Sequence, residues 1–360
     1  MKTVNPATAI RPEPTNRFLR ACWRLPTDTT PVWYMRQAGR SLPESREIRQ
    51  KHSFFEVANT PELCAEVTLQ PVRRLGVDAA IIFSDIVAPL VAIGVDIQLV
   101  EGTGPTMRAP VRALADLDAL RPLDPDHDMR PIREAIGLVR QELASGDIAL
   151  IGFVGAPFTL ASYLVEGKPS RDFAHTKRMM LDAPELWDAL MSRLTDITLS
   201  FARGQIAAGA QAIQVFDSWI GALGPREYAR SVQPHMRRLF DGLRAPGLPE
   251  TPRIHFGTGA PALLELMAEA GGDVIGLDWR VNLDSAWERL GGGQRVAIQG
   301  NLDPVTLLAS WNTVQREAET ILQQAHNQPG HIFNLGHGVL PETDPAQLAR
   351  LTAFVHEFRT

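Results

Sequence analysis

The chain has 360 residues, 44% of them hydrophobic and 21% charged, an ordinary globular composition of a length that suits one large domain or two average ones. A formal net charge of −5, with no acidic or basic tail, argues against non-specific nucleic-acid binding and requires any anionic ligand to be held by local positive charge. Cys22 and Cys64 are the only cysteines, which excludes a disulfide framework and points to a reducing compartment.

Residues 1–16, with Pro6, Pro12 and Pro14 among polar neighbours, read as an extended arm without the apolar core of a signal peptide. The first apolar run, Val32 to Met35, stops at Arg36-Gln37-Ala38-Gly39-Arg40. Thr60-Pro61-Glu62 opens a helix, with Thr60 as N-cap, and Gly76 ends it. Ala79 to Phe83 runs into Ser84-Asp85. The apolar stretch Val87 to Val95 contains Pro89 and Gly94 and is far too short to span a bilayer. The span from Ile86 to Leu143 is too long for one helix, and an inserted hairpin is expected at Asp96 to Val100. Ile148 to Val154 runs into Gly155-Ala156-Pro157, and Leu186, Leu190, Ile197 and Phe201 then keep helical spacing through a long amphipathic segment. Further runs are Ala212 to Phe216 (into Asp217-Ser218), Arg253 to Phe256 (into Gly257-Thr258-Gly259) and Val274 to Leu277 (into Asp278-Trp279). Val296 to Ile298 runs into Gln299-Gly300-Asn301, and Ile332 to Leu335 into Gly336-His337-Gly338. Asp303-Pro304 and Asp344-Pro345 each pair an N-cap with proline at the first helical position.

The runs are short, rich in β-branched or aromatic residues and free of polar alternation, as in strands buried on both faces of a parallel sheet. About eight strand-then-helix units in one uninterrupted chain favour a single-domain α/β fold over residues 1–360, a (β/α)8 TIM barrel; an open doubly wound sheet is the alternative. In such a barrel chemistry sits at the C-terminal ends of the strands, so the polar residue ending each run is a candidate site residue.

Arg36 and Arg40 bracket a small flexible segment with no acid nearby in sequence. Guanidinium forks and backbone N–H groups there make a carboxylate or phosphate cradle, unless the two arginines are merely solvated. Asp85 follows a strongly apolar run, where a carboxylate is costly to bury without compensation; its bland alternative is an N-cap. Tyr163 lies among leucines, and its local context alone favours a core residue over a site residue. Ser218 is a hydrogen-bond donor at a strand end or a turn residue, and the context of a nucleophile elbow is missing. His337, between glycines, is placed to reach the barrel mouth or to serve structure. No His, Cys and carboxylate set has zinc spacing. Gly291-Gly292-Gly293 precedes a strand, so it is no dinucleotide fingerprint. The only lysines, Lys2, Lys51, Lys168 and Lys177, end no predicted strand, which argues against a Schiff-base aldolase.

That set of residues, in that order, resembles the uroporphyrinogen decarboxylase family. The resemblance runs from about Pro31 to the final helix and is carried by Trp33-Tyr34-Met35-Arg36-Gln37-Ala38-Gly39-Arg40-Ser41-Leu42-Pro43, Phe83-Ser84-Asp85-Ile86 and Ser162-Tyr163-Leu164-Val165-Glu166-Gly167. Phe216-Asp217-Ser218-Trp219, Gln299-Gly300-Asn301-Leu302-Asp303-Pro304 and Asn334-Leu335-Gly336-His337-Gly338 complete it. The resemblance implies a (β/α)8 barrel that works as a homodimer in the cytoplasm, without cofactor or metal, and binds neither nucleic acid nor membrane. The implied reaction removes carbon dioxide from the four acetate side chains of uroporphyrinogen III, giving coproporphyrinogen III. It implies Asp85 as the partner of the pyrrole N–H groups and Arg36 and Arg40 as binders of carboxylates, Arg36 also as a possible proton source. Gln37, Ala38 and Gly39 would add backbone contacts, and Tyr163, Ser218 and His337 hydrogen bonds to carboxylates or the macrocycle rim. Two rivals stand beside this reading: a methyltransferase on the same barrel that activates a thiol with zinc, which needs a His-x-Cys ligand set, and a non-catalytic tetrapyrrole carrier.

Overall fold

The computed structural model describes residues 14–100, 104–144 and 147–359. The arm expected over residues 1–16 lies, as far as residue 13, outside the described residues. Asn16 caps the first helix, Arg17–Cys22, by accepting the N–H of Leu19.

Seven parallel strands pair in the order β1-β4-β5-β6-β7-β8-β9: β1 (Ala79–Ile81), β4 (Ala149–Gly155), β5 (Ala212–Asp217), β6 (Arg253–Gly257), β7 (Val274–Gly276), β8 (Ala297–Gln299) and β9 (His331–Ile332). Between β1 and β4 the chain makes an antiparallel hairpin of β2 (Ile97–Val100) and β3 (Gly104–Met107); the expected span, Asp96 to Val100, holds only its first strand. The sheet is closed by Pro31–Trp33. Val32 forms a parallel bridge with Phe333, the N–H of Trp33 reaches the Phe333 carbonyl at 3.3 Å, and Asp78 N–H donates to the Val32 carbonyl at 2.8 Å. The first expected strand is therefore an eighth stave of barely one residue.

The strand residues are buried on both faces, which is why they lack alternation. Outside them, the helix Pro61–Leu75 has proline in its first turn and ends at Gly76 in the left-handed region (φ +66°). Thr60 does not cap it through its side chain, contrary to expectation: its hydroxyl makes no bond to the first turn, and Pro61 supplies the start instead. Asp303 and Asp344 do cap, accepting the N–H groups of Val305 and Ala346. The amphipathic segment is the helix Pro184–Ala208, whose Leu186, Leu190, Ile197 and Phe201 are all buried.

Inside the barrel a polar chain crosses the apolar filling. Trp33 Nε1 donates to Gln299 Oε1 at 2.9 Å, and Gln299 Nε2 donates to Gln214 Oε1 at 3.4 Å. Fully buried amides cost free energy unless bonded, so these pairs also fix which staves face each other. Among the described residues, no helix is long and apolar enough to cross a membrane.

Candidate active site at the barrel mouth

Arg36 and Arg40 lie past the closing stave, Asp85, Ser218 and His337 a few residues past β1, β5 and β9, and Tyr163 two turns into the helix that follows β4. The segment 34–40 is held on both sides. Its turn is closed by the N–H of Gln37 on the Tyr34 carbonyl at 3.0 Å. The fully buried Gln37 side chain accepts the N–H of Tyr34 at 2.9 Å and donates to the Ala79 carbonyl at 2.9 Å. Gln37 is thus the strap that ties the segment to β1. From the other side Asn334 Oδ1 accepts the N–H of Met35 at 3.0 Å, and Val339 N–H donates to the Met35 carbonyl at 2.8 Å. Between these anchors Arg36 sits at φ +59°, a left-handed conformation unusual for a residue with a Cβ. Gly39 (φ +81°) lies so close to Phe83 that a Cβ would approach its ring at 2.6 Å, so the segment lies directly on the end of β1.

Arg36 is exposed and Arg40 half-buried. Burial, and then the neighbouring Arg36 charge, lower the Arg40 guanidinium to about 10, while Glu342 pulls it back up. An acid does therefore stand near Arg40, from a loop distant in sequence. Asp85 is half-buried, and its Oδ1 accepts the N–H of Val87 at 3.0 Å. Burial raises its pKa, whereas the N–H of Val87 and the Arg36 charge oppose the rise. Tyr163, in the helix Pro157–Glu166, is 7% exposed and meets Trp219 edge-on with centroids 5.8 Å apart. Burial pushes its hydroxyl up to about 12, helped by the negative Asp85 and opposed by Arg36. The charges of Asp85 and Arg36 thus both reach the Tyr163 hydroxyl, and that of Arg36 reaches Asp85.

His337 is packed between two neighbours through the glycines that flank it. A Cβ on Gly338 would meet Arg36 Cγ at 2.8 Å, and one on Gly336 would lie 3.0 Å from the Asp278 carbonyl carbon. Its ring meets Trp279 edge-on at 6.4 Å. Burial lowers its pKa to about 4, with Arg36, Arg40 and Arg280 acting in the same direction and Asp278 against it. The imidazole is therefore neutral near pH 7. Ser218 is half-buried beside Asp217 at the end of β5.

Two features escaped the sequence reading. Asp217 is fully buried; Thr159 Oγ1 donates to its Oδ1 at 2.8 Å and also accepts the N–H of Trp219 at 3.2 Å, while Oδ2 lacks a partner among the described residues. Burial pushes this carboxyl up to about 7, against the Thr159 bond. The other is Asp278-Trp279-Arg280 after β7: the buried Asp278 carboxylate accepts the N–H groups of Gly259 and Arg280 and the Arg280 Nη1 at 2.7 Å. Asp278-Trp279 was visible as a strand end; Arg280, two residues beyond, carried no signal of its own.

Among the described residues no three His, Cys, Asp or Glu side chains gather as a set that could hold a metal. Both cysteines are buried in helices. Cys64 donates its S–H to the Phe83 carbonyl, and burial pushes its thiol up to about 12.

Fold and site together define a barrel enzyme that carries two arginines after its closing stave and a half-buried carboxylate after β1. The chain belongs to the uroporphyrinogen decarboxylase family, whose model matches residues 13–358. Curated relatives carrying that name include those of Salinispora tropica (54% identical over 340 residues, 94% of this chain and 90% of the relative) and Streptomyces coelicolor (54%, 94% and 93%). The relative from Carboxydothermus hydrogenoformans is 50% identical over 94% of this chain and 95% of its own. Among solved structures, a methyltransferase from Methanosarcina mazei superposes with a TM-score of 0.76 at 18% identity, over 95% of this chain and 98% of that one. A B12-independent methionine synthase from Shewanella sp. W3-18-1 gives 0.53 at 13%, over 86% and 87%. These likenesses are of fold alone.

Proposed function

We propose that the barrel mouth removes carbon dioxide from the four acetate side chains of uroporphyrinogen III to leave methyl groups, giving coproporphyrinogen III, with Asp85 as the central electrostatic residue. Family membership and relatives at 50–54% identity support the reaction. The half-buried Asp85, coupled to Arg36 and Tyr163, supports the role given to it.

Losing carbon dioxide from an acetate leaves a carbanion that needs an electron sink. The substrate's own pyrrole can serve. Protonation of a ring carbon makes an iminium-like cation, which accepts the electrons as carbon dioxide leaves; a second proton completes the methyl, and the ring carbon then releases the first proton to restore the aromatic pyrrole, so that one proton is consumed for each carbon dioxide lost. Asp85 accepts the inward-pointing pyrrole N–H groups and faces the cation as it forms. At about 4 Å and an effective dielectric of about 20, such a pair is worth roughly 4 kcal/mol. Confined to the transition state, that is about three orders of magnitude in rate. Arg36 and Arg40 bind the carboxylates at the rim, and Arg36, whose charge opposes the rise in the Asp85 pKa, would also help deliver a proton. Ala38 and Gly39 offer backbone N–H groups in the same cradle, whereas that of Gln37 is spent within its turn. Tyr163, Ser218 and the neutral His337 hydrogen-bond carboxylates or the macrocycle rim.

The same reading makes the enzyme a cytoplasmic homodimer; two cysteines, both free, suit a reducing compartment. The deciding experiment is anaerobic incubation with uroporphyrinogen III, chelator present, followed by chromatography of the products. Wild type is expected to yield coproporphyrinogen III, and Asp85→Asn to keep the fold and lose about a thousandfold in turnover. Normal turnover by Asp85→Asn would remove the charge-stabilising role.

A further inference from the structure

Two arginines are few for a ligand with eight carboxylates on its rim, and the net charge of −5 offers no attraction at long range. The structure supplies a third cation from the loop after β7. Arg280 lies with its Cζ 4.0 Å from the centroid of the Trp279 ring, and one nitrogen of its fork, Nη1, is bonded to Asp278. The remaining N–H groups of the fork have no partner among the described residues, and the side chain is 46% exposed. Stacking and the ion pair fix the guanidinium before any ligand arrives, so little rotamer freedom is left to lose on binding.

The loop is also fixed relative to the cradle. Gly336 packs directly on the backbone of Asp278 and Trp279, and Gly338 packs on the Arg36 side chain, with His337 between them. Arg36 thus stands on one side of His337, and Trp279 with its stacked Arg280 on the other. Asp278 does not cancel the role of Arg280, because its carboxylate is shared with the backbone N–H groups of Gly259 and Arg280.

We infer that Arg280, stacked on Trp279 across His337 from Arg36, forms a second carboxylate subsite, which takes a side-chain carboxylate from a ring other than the one reacting at Asp85. This rests on the reading of the substrate as a polycarboxylate tetrapyrrole. A contact to a non-reacting ring is made equally in the ground and transition states, so it lowers KM and leaves kcat unchanged.

Steady-state kinetics with uroporphyrinogen III test this. Arg280→Gln is expected to raise KM about tenfold, the loss of one charge-assisted hydrogen bond at a half-exposed site, with kcat held within about twofold. The KM of wild type should also rise more steeply with salt than that of the variant. Should Arg280→Gln fail to fold, Arg280→Lys keeps a charge beside Asp278 but not the fork, and a KM raised about threefold carries the same test. An unchanged KM in a variant that folds, or a fall in kcat alone, overturns the subsite. If wild type itself yields no coproporphyrinogen, the substrate reading has failed instead.

Discussion

Arg36 shows how the site is strained into place. Its left-handed backbone costs a residue with a Cβ roughly 1 kcal/mol, and the conformation persists because Gln37 and Asn334 bond the segment from both sides. Arg36→Ala keeps the strain and loses the guanidinium; Arg36→Gly loses both. We expect the two variants to be equally poor decarboxylators, with the glycine form the more stable by about 1 kcal/mol in urea melts. A glycine variant that turned over normally would show that the reaction does not need the Arg36 guanidinium. At this scale the sequence was most legible where a polar residue ends a buried run, as at Asp85 and His337. It was least legible where a role depends on a partner distant in the chain. Gln37 has the side chain of a ligand contact, yet its amide is consumed between Tyr34 and Ala79. Asp217 and Arg280 carry meaning only through Thr159 and through Trp279 with His337, contacts that no local pattern encodes.

Among the elements, double-sided burial made the strands readable as runs without alternation, but it overstated the first and last of them. Towards the closing stave, pairing stops after Phe333 because the Asn334 side chain takes over: its Oδ1 accepts the N–H groups of both Met35 and Leu335, while on the other edge Leu335 still bridges Leu302. The opposite end of the closing stave is held by a residue that pattern reading passed over. Asp78, just before β1 and 5% exposed, accepts the N–H of Val32 at 2.7 Å, Arg17 Nη1 at 3.1 Å and His356 Nε2 at 2.8 Å. One carboxylate thereby joins the first helix, the closing stave and the last helix, at the rim where a barrel keeps its stabilising residues. Asp78→Ala strands the buried N–H of Val32 and takes one partner each from His356 and from Arg17, which keeps Asp28, and is expected to cost about 2 kcal/mol. Urea midpoints measure it, and the KM of the folded fraction should stay at the wild-type value because the mouth lies at the other rim. A variant as stable as wild type would mean that the stave closes without this clasp.

For the molecule as a whole, the buried titratable groups set opposing dependences on pH. His255, His331 and His337 are all lowered to about 4, first of all by burial. In the unfolded chain they take up protons near pH 6.5, so their contribution is complete above that pH and is lost as pH falls towards 4. Asp217 acts the other way. Its carboxyl is pushed up to about 7, so between about pH 4 and 7 the folded state keeps a proton that the unfolded state has released. Its penalty grows as pH rises and is complete above 7. Among these four groups the histidines outweigh Asp217, so together they make stability fall from pH 6 to 4.5, their own share of the slope being near two protons, about 2.7 kcal/mol per pH unit. Asp217→Asn removes the opposing group. That variant should be more stable than wild type at pH 8, lose the advantage by pH 4.5, and fall with a slope nearer three protons. Urea midpoints across this range decide it, because a carboxylate that met a cation or a strong donor at Oδ2 would make Asp217→Asn the less stable protein at pH 8.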